Sequence, residues 1–475
     1  VSRRSRQAPR RRGRRILLVT SLVLVVALAA GAAATYRYDL LDRWLGADAP
    51  PAVAPPPGLT LAPQPTPRPV ARPAPTTDVV TGPTTAEVRR ALGDAVDDPK
   101  LADLSVVVSP LDGPSEVRPL LADGRRLVMP ASTLKLLTTT AALSALGPDR
   151  TFATRVVGGR RLTLVGGGDP FLAGKQPTSG PRGGDASLQA LARLTARHLH
   201  QRGIGRVRLS YDTSLFTGPE VSPTWPKTYL PDVVTPITAL WADEGLDPDG
   251  PGRVADPAAT AAATFASYLG KNGVRVDGTP REHTAPAGAP AVAQVTSRPV
   301  ADIVEQVLQY SDNEGAEVLA HQVGLSVTGH GSFAGGVVGV RRTLQQLGID
   351  LRGARFYDGS GLSRDDRIDP RTLVDVLRLD AAPDHPELRA VVTGLPVAAF
   401  DGSLTFRFQD SFGRGWVRAK TGTLTGTSAL AGLATTRHGH TLAFALVSNR
   451  IPVLDTLDAR AALDGLASRL AACPC

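Results

Sequence analysis

From Ile16 to Tyr36 the chain runs for 21 residues without a charge. At ~1.5 Å per residue, a helix of that length matches the ~30 Å hydrocarbon core of a bilayer. Eight arginines and no acidic residue precede it within residues 1–15. Such a basic flank stays in the cytoplasm, so everything after Tyr36 is expected on the far side of the membrane. Tyr36, Tyr38 and Trp44 would lie at that far interface. The run reads as an uncleaved signal anchor, or as a signal peptide cut near Ala32–Ala34, and its length favours the anchor.

The next stretch cannot build a core. Pro50 to Pro75 holds eleven prolines in 26 residues, and proline fixes φ while removing a backbone donor. In polyproline II geometry it would reach on the order of 80 Å at ~3.1 Å per residue. The expected order is a basic cytoplasmic segment (1–15), a transmembrane anchor or signal peptide (16–36) and an extracytoplasmic proline-rich linker (37–83), with the folded body starting near Thr84. The eight N-terminal arginines account for all but one of the +9 net charge. A nearly neutral body offers no electrostatic footprint for nucleic acid. Cys473 and Cys475 give neither a disulfide framework nor a thiolate metal site, and their spacing reads as a frayed tail. The eight histidines form no ligand spacing, so neither a metal nor a cofactor is expected.

Within the body, the stretch from Thr84 reads as a capped helix followed by a strand, Leu104–Ser109. An apolar helix follows Pro130 and ends near Gly147-Pro148. Residues 152–297 change character, with short strands, turns and two amphipathic helices at Ala186–Arg202 and Pro257–Asn272. No catalytic cluster stands out there, and the segment reads as one or two inserted domains. Gly166-Gly-Gly-Asp169-Pro170 lacks the Gly-Lys-Ser/Thr of a phosphate loop and reads as a tight turn. Pro299–Gly324 has a helical period with Ser311-Asp312-Asn313 in its middle. Gly415–Thr423, Ser428–Thr435 and Thr441–Ser448 read as a three-stranded meander, and Asp455–Ala472 as a closing helix.

Three short motifs carry chemistry. Ser132-x-x-Lys135 opens the apolar helix, and residues three apart share a helix face. Ser311-Asp312-Asn313 lies in the helical region, and Lys420-Thr421-Gly422 in a strand. Singly, each has a bland reading: Ser132 as an N-cap, Ser311 and Asn313 as helix-surface residues, Lys420-Thr-Gly as a strand ending at a turn. Jointly they carry more weight. The chain has only six lysines and three asparagines, yet two of those lysines and one asparagine occupy these slots.

In this order the motifs resemble those of the penicillin-binding proteins and serine β-lactamases. The 179 residues from Ser132 to Ser311, far more than in compact class A β-lactamases, are similar to the class C low-molecular-mass penicillin-binding proteins. The blocks LVMPASTLKLLTTTAAL, LVGGGDPFL, ITALWADEG, YSDNEGAEVLA, DGSGLS and RAKTGTLTG extend the resemblance over about Thr84–Ala472. It implies an α/β (α+β) transpeptidase-like fold, an antiparallel sheet flanked by helices, in two parts at 84–151 and 298–475, with mainly β inserted domains at 152–297. The implied activity is that of a serine D-alanyl-D-alanine carboxypeptidase or endopeptidase. Its substrate would be a peptidoglycan stem peptide ending in D-Ala-D-Ala, and β-lactams would acylate the same serine. Ser132 would be the nucleophile and Lys135 its base, with Lys420 depressing the Lys135 pKa. Ser311 would relay a proton, and Asn313 would serve a ligand carbonyl and Lys135. The backbone N–H groups of Ser132 and Thr423 would bind the oxyanion. Lys420, Thr421 and Thr423 would take the substrate carboxylate, and Gly422 would let the substrate backbone approach. No equivalent of the class A deacylating glutamate is assignable, so slow release of penicillin is expected.

Overall fold

The computed structural model describes residues 82–111, 118–177, 186–247 and 250–475. The basic segment, the apolar run and all but the last two residues of the linker lie outside the described residues. No helix among the described residues is long and apolar enough to cross a membrane.

The strands are β1 (Leu104–Pro110), β2 (Leu121–Asp123), β3 (Ala153–Gly158), β4 (Arg161–Val165), β5 (Arg206–Asp212), β6 (Arg275–Val276), β7 (Arg281–Glu282), β8 (Ala291–Thr296), β9 (Val417–Leu424), β10 (Thr427–Thr435) and β11 (Thr441–Asn449). They form two sheets. The first is antiparallel, in the order β2-β1-β11-β10-β9, and joins residues 104–123 to residues 417–449. Both its faces are covered, which explains its nearly unbroken apolar runs. Val107, Ala429, Ala431 and Val447 point into one core; Val106, Val108, Leu430 and Leu446 point into the other. This is the period of two expected of a strand. The second core is closed by helices Thr85–Leu92 and Thr456–Ala471. Thr84 caps the former, its N–H donating to Glu87 Oε2 at 2.9 Å while Glu87 N donates to Thr84 Oγ1.

Helix Lys135–Leu146 runs through the first core and is buried on every side through Leu143. It therefore has no polar face, as befits a central helix. Its polar groups are satisfied internally. Thr140 Oγ1 lies 2.8 Å from the Leu136 carbonyl and 2.9 and 3.0 Å from the two Asp380 oxygens. One hydroxyl proton cannot serve both partners. Burial pushes the Asp380 carboxyl well above the usual carboxylate range; when it carries its proton the acid donates to Thr140, which donates to Leu136, and when it is ionised Thr140 donates to it instead. An acid with a raised folded pKa keeps its proton longer in the native state, so its contribution falls as pH rises past the unfolded value of ~3.9. Asp380→Asn, neutral at every pH, is expected to melt above wild type at neutral pH and to lose that advantage near pH 4. Thermal unfolding at the two pH values checks this.

The second sheet, β6-β5-β4-β3-β8 with β7 also on β5, lies wholly between Ala153 and Thr296. Helices Leu188–Gln201 and Pro257–Lys271 cover it over a separate core built from Leu164, Leu191, Phe265 and their neighbours. β4, β6 and β7 pair with β5 in parallel, which is what helical crossovers permit.

Three expectations need correction. The helical period of 299–324 is broken: Val300–Tyr310 ends at Ser311 in the left-handed region (φ 61°), and Asn313–Thr328 starts afresh. Asp312 caps the new helix, accepting from Gly315 N at 2.6 Å. The C-terminal tail is not frayed. Cys473 and Cys475 are bonded to each other and buried, and Thr436 Oγ1 donates to the Cys475 carbonyl at 2.7 Å. The Gly166–Gly168 stretch is more than a turn. A Cβ at Gly166 would stand 2.4 Å from the Ala239 carbonyl oxygen, and one at Gly167 2.1 Å from that of Ala153. These glycines let backbones pack directly.

Candidate active site

The three motifs meet although 109 to 178 residues separate the side chains that touch. Ser132 sits in a 3-10 turn, Ala131–Leu134, that leads into helix Lys135–Leu146. Ser132 is not the helix cap, since the turn has no side-chain cap bond. Thr133 Oγ1 ties it instead, donating to the Pro130 carbonyl at 2.7 Å. Ala131 holds φ 49°, a left-handed conformation that costs a non-glycine residue energy and here sets the approach of Ser132.

Lys135 Nζ stands 2.9 Å from Ser132 Oγ, 2.8 Å from Asn313 Oδ1 and 2.8 Å from the Ser360 carbonyl. Asn313 owes its place to the helix break, which puts it in the first turn of the new helix. Its Nδ2 donates to the Val233 carbonyl at 3.4 Å. Lys135 is fully buried; burial lowers its pKa to about 8, against the upward pull of Glu317, Asp312, Asp358 and Glu314.

Ser311 faces the other lysine. Lys420 Nζ donates to Ser311 Oγ at 2.7 Å and to the Thr421 carbonyl at 2.9 Å. Burial, then the charges of Lys135 and Arg407, holds the Lys420 amine well below its ordinary range. The two ammonium charges repel, so each disfavours the charged form of the other, while the acids clustered around Lys135 favour its ammonium form. Thr421 Oγ1 donates to Ser403 Oγ at 3.1 Å, and Thr423 is exposed on β9, the edge strand of its sheet. Gly422 has a packing reason of its own. A Cβ there would meet the Pro130 carbonyl oxygen at 2.8 Å and Ala131 Cβ at 3.3 Å.

Sequence reasoning missed several neighbours. Loop Tyr357–Ser363 supplies the Ser360 carbonyl, and its Asp358 accepts from Gly361 N at 2.8 Å and Ser363 N at 2.6 Å. The inserted segment also reaches the site: Trp225 Nε1 donates to Asp358 Oδ2 at 2.7 Å, and Thr235 N to Glu314 Oε1 at 3.1 Å. Trp225, Val234, Ile237 and Trp241 share a core with Val318, Phe333 and Leu362. The carboxylates of Glu244, Asp312 and Glu314 converge within 4.8 Å. Arg253 Nε engages Glu314 at 2.6 Å.

The sequence profile of the D-Ala-D-Ala carboxypeptidase 3 (S13) family matches residues 88–248 and 251–470. The chain belongs to this family. It is thereby a serine-type D-Ala-D-Ala carboxypeptidase of the class C low-molecular-mass penicillin-binding proteins. It is 35% identical over 473 residues to carboxypeptidase DacB of Mycolicibacterium smegmatis, covering 96% of each chain. A carboxypeptidase of Mycobacterium tuberculosis is 34% identical over 432 residues, covering 87% of this chain and 90% of the relative. Penicillin-binding protein 4 of Haemophilus influenzae superposes with a TM-score of 0.68 at 22% identity, covering 82% of this chain and 98% of that one, which speaks for the fold.

Proposed function

We propose that this S13 carboxypeptidase releases the terminal D-Ala of peptidoglycan stem peptides through an acyl-Ser132 intermediate, with Lys135 as the base. The observation that carries the reading is the set of three partners around Lys135 Nζ. As a neutral amine it has two N–H groups and one lone pair. The N–H groups go to Asn313 Oδ1 and the Ser360 carbonyl, and the lone pair is left for the Ser132 hydroxyl proton.

Ser132 Oγ then attacks the carbonyl carbon of the penultimate D-Ala. The oxyanion is held by the N–H groups of Ser132 and Thr423. The C–N bond breaks, and the leaving D-Ala amine takes a proton delivered through Ser311 from the lysines. Water then cleaves the acyl ester and regenerates Ser132. The substrate carboxylate rests against Lys420, Thr421 and Thr423, and its charge favours the ammonium form of Lys420 that burial otherwise disfavours. β-Lactams enter the same path and stop at the acyl-enzyme. A cross-link is cut in the same way when the leaving amine belongs to a second stem peptide. The enzyme works on the extracytoplasmic face of the membrane, held by the 16–36 segment.

Intact-protein mass spectrometry after penicillin treatment tests the reading. The expected result is one stoichiometric adduct, mapping to the tryptic peptide that contains Ser132. An adduct elsewhere, or none, sinks it. Defined muropeptides then separate D-Ala release from cross-link cleavage.

A further inference from the structure

Ser360, whose carbonyl takes an N–H of Lys135, is itself held from behind. Its own N–H donates to Glu317 Oε1 at 2.8 Å, and Gly359 N donates to Glu317 Oε1 at 3.1 Å and Oε2 at 3.0 Å. Glu317 is fully buried. Ser360 therefore binds Glu317 through its N–H and Lys135 through its C=O. A Cβ at Gly359 would lie 2.6 Å from Ala320 Cβ and 2.9 Å from the Ala316 carbonyl oxygen, so the loop rests directly on helix Asn313–Thr328. Asn313 and Glu317 are four residues apart on that helix and so share a face. One helix thus offers Lys135 an amide acceptor at its first turn and a carboxylate a turn further on.

Other charges surround the pair. Lys135 feels Glu317 most, then Asp312, Asp358 and Glu314, and shares its surroundings with Lys420 on β9. Glu317 in turn feels Asp358, and Asp366 feels both acids. Most of the other acids have stabilising partners of their own. Asp312 caps Gly315, Glu314 is paired with Arg253, and Asp358 accepts from Trp225 and two backbone N–H groups. Asp366 accepts from Tyr357 N at 2.9 Å. Burial lifts Glu317 to about 8 and lowers Lys135 to about 8. Their opposite charges favour each other's ionised form.

We propose that Glu317 is a positioning residue for acyl transfer: it fixes the Ser360 carbonyl, and its charge decides how much of Lys135 is free amine. The proposal rests on the reading of Lys135 as the base. An anionic Glu317 favours the ammonium form, and an uncharged side chain there releases the amine. Glu317→Gln removes the charge, while an amide oxygen in the place of Oε1 can still accept from Gly359 and Ser360. Glu317→Asp keeps the charge but withdraws it by one methylene.

The test is the single-turnover rate of acylation by a fluorescent penicillin from pH 6 to 10, read as the midpoint of its rising limb. For Glu317→Gln the midpoint is expected to fall by ~1 pH unit or more, with Glu317→Asp in between. A wild-type limb that neither variant moves overturns the proposal, even if the rate drops evenly at every pH, since a merely structural role predicts that. A wild-type profile with no limb overturns the base assignment and this proposal with it. If Glu317→Gln is unfolded by circular dichroism, Glu317→Asp carries the comparison alone.

Discussion

Ser132→Ala is expected to abolish covalent labelling by penicillin and to lower D-Ala release by at least ~10³-fold, while melting at the wild-type temperature. The second half of that expectation is specific to this structure. Ser132 does not cap its helix, so no cap is lost. The turn is tied by Thr133 and Pro130, and Lys135 keeps two of its three partners. Labelling and D-Ala release, followed beside thermal unfolding, check both halves. The measurement also separates two serine–lysine pairs. Ser311 Oγ lies 2.7 Å from Lys420 Nζ, as close as Ser132 lies to Lys135 and with a lysine that burial depresses further. Labelling that survives in Ser132→Ala and disappears in Ser311→Ala would move the nucleophile to the second pair. What favours Ser132 is its setting: a strained turn against β9, with a base whose other N–H groups are already engaged.

Acylation of the wild-type enzyme is expected to rise with pH and to reach half its maximum near pH 8, where Lys135 loses its proton. Only the amine accepts the serine proton, so the rate falls as pH drops below that value. Lys135→Arg is expected to flatten the limb and lower the rate by at least ~10³-fold, because a guanidinium does not deprotonate in this range. Stopped-flow acylation across pH 6–10 reads both. A Lys135→Arg profile that keeps the wild-type limb would assign it to another group, and Lys420 would be next to examine. The shift also bears on stability. A lysine with a lowered folded pKa gives up its proton first in the native state. The stability lost by burying it is thus recovered as pH rises from about 8 toward the unfolded value.

Much of the architecture is legible along the chain because its signals are local. Short apolar runs bounded by turn residues mark β1, β10 and β11, the capping box at Thr84 marks the helix Thr85–Leu92, and a longer unpunctuated apolar run marks the buried helix after Pro130. The Ser132–Lys135 pair is legible for the same reason: a three-residue spacing is already a geometric statement. Ser311 and Asn313 were legible as a motif but not in their setting. Their segment keeps a helical period across a break that depends on a left-handed Ser311 and an Asp312 cap. The sequence does carry a signal there, an aspartate three residues ahead of the glycine whose N–H it accepts, but it competes with an uninterrupted apolar period.

The sequence by itself determined the order of the motifs and the residue types an acyl transfer needs. Only the tertiary structure decided how their charges are set. The Ser360 carbonyl reaches Lys135 across 225 residues of chain, Asn313 across 178, and Trp225 finds Asp358 across 133. Glu317, one turn below Asn313, was visible as a letter but not as a partner of the 359–360 backbone. A pKa is the sum of burial and of every neighbouring charge, and those neighbours come from the packing of distant segments. That is why the lysine held furthest down is Lys420, and why Lys135 rests near 8 among the buried acids.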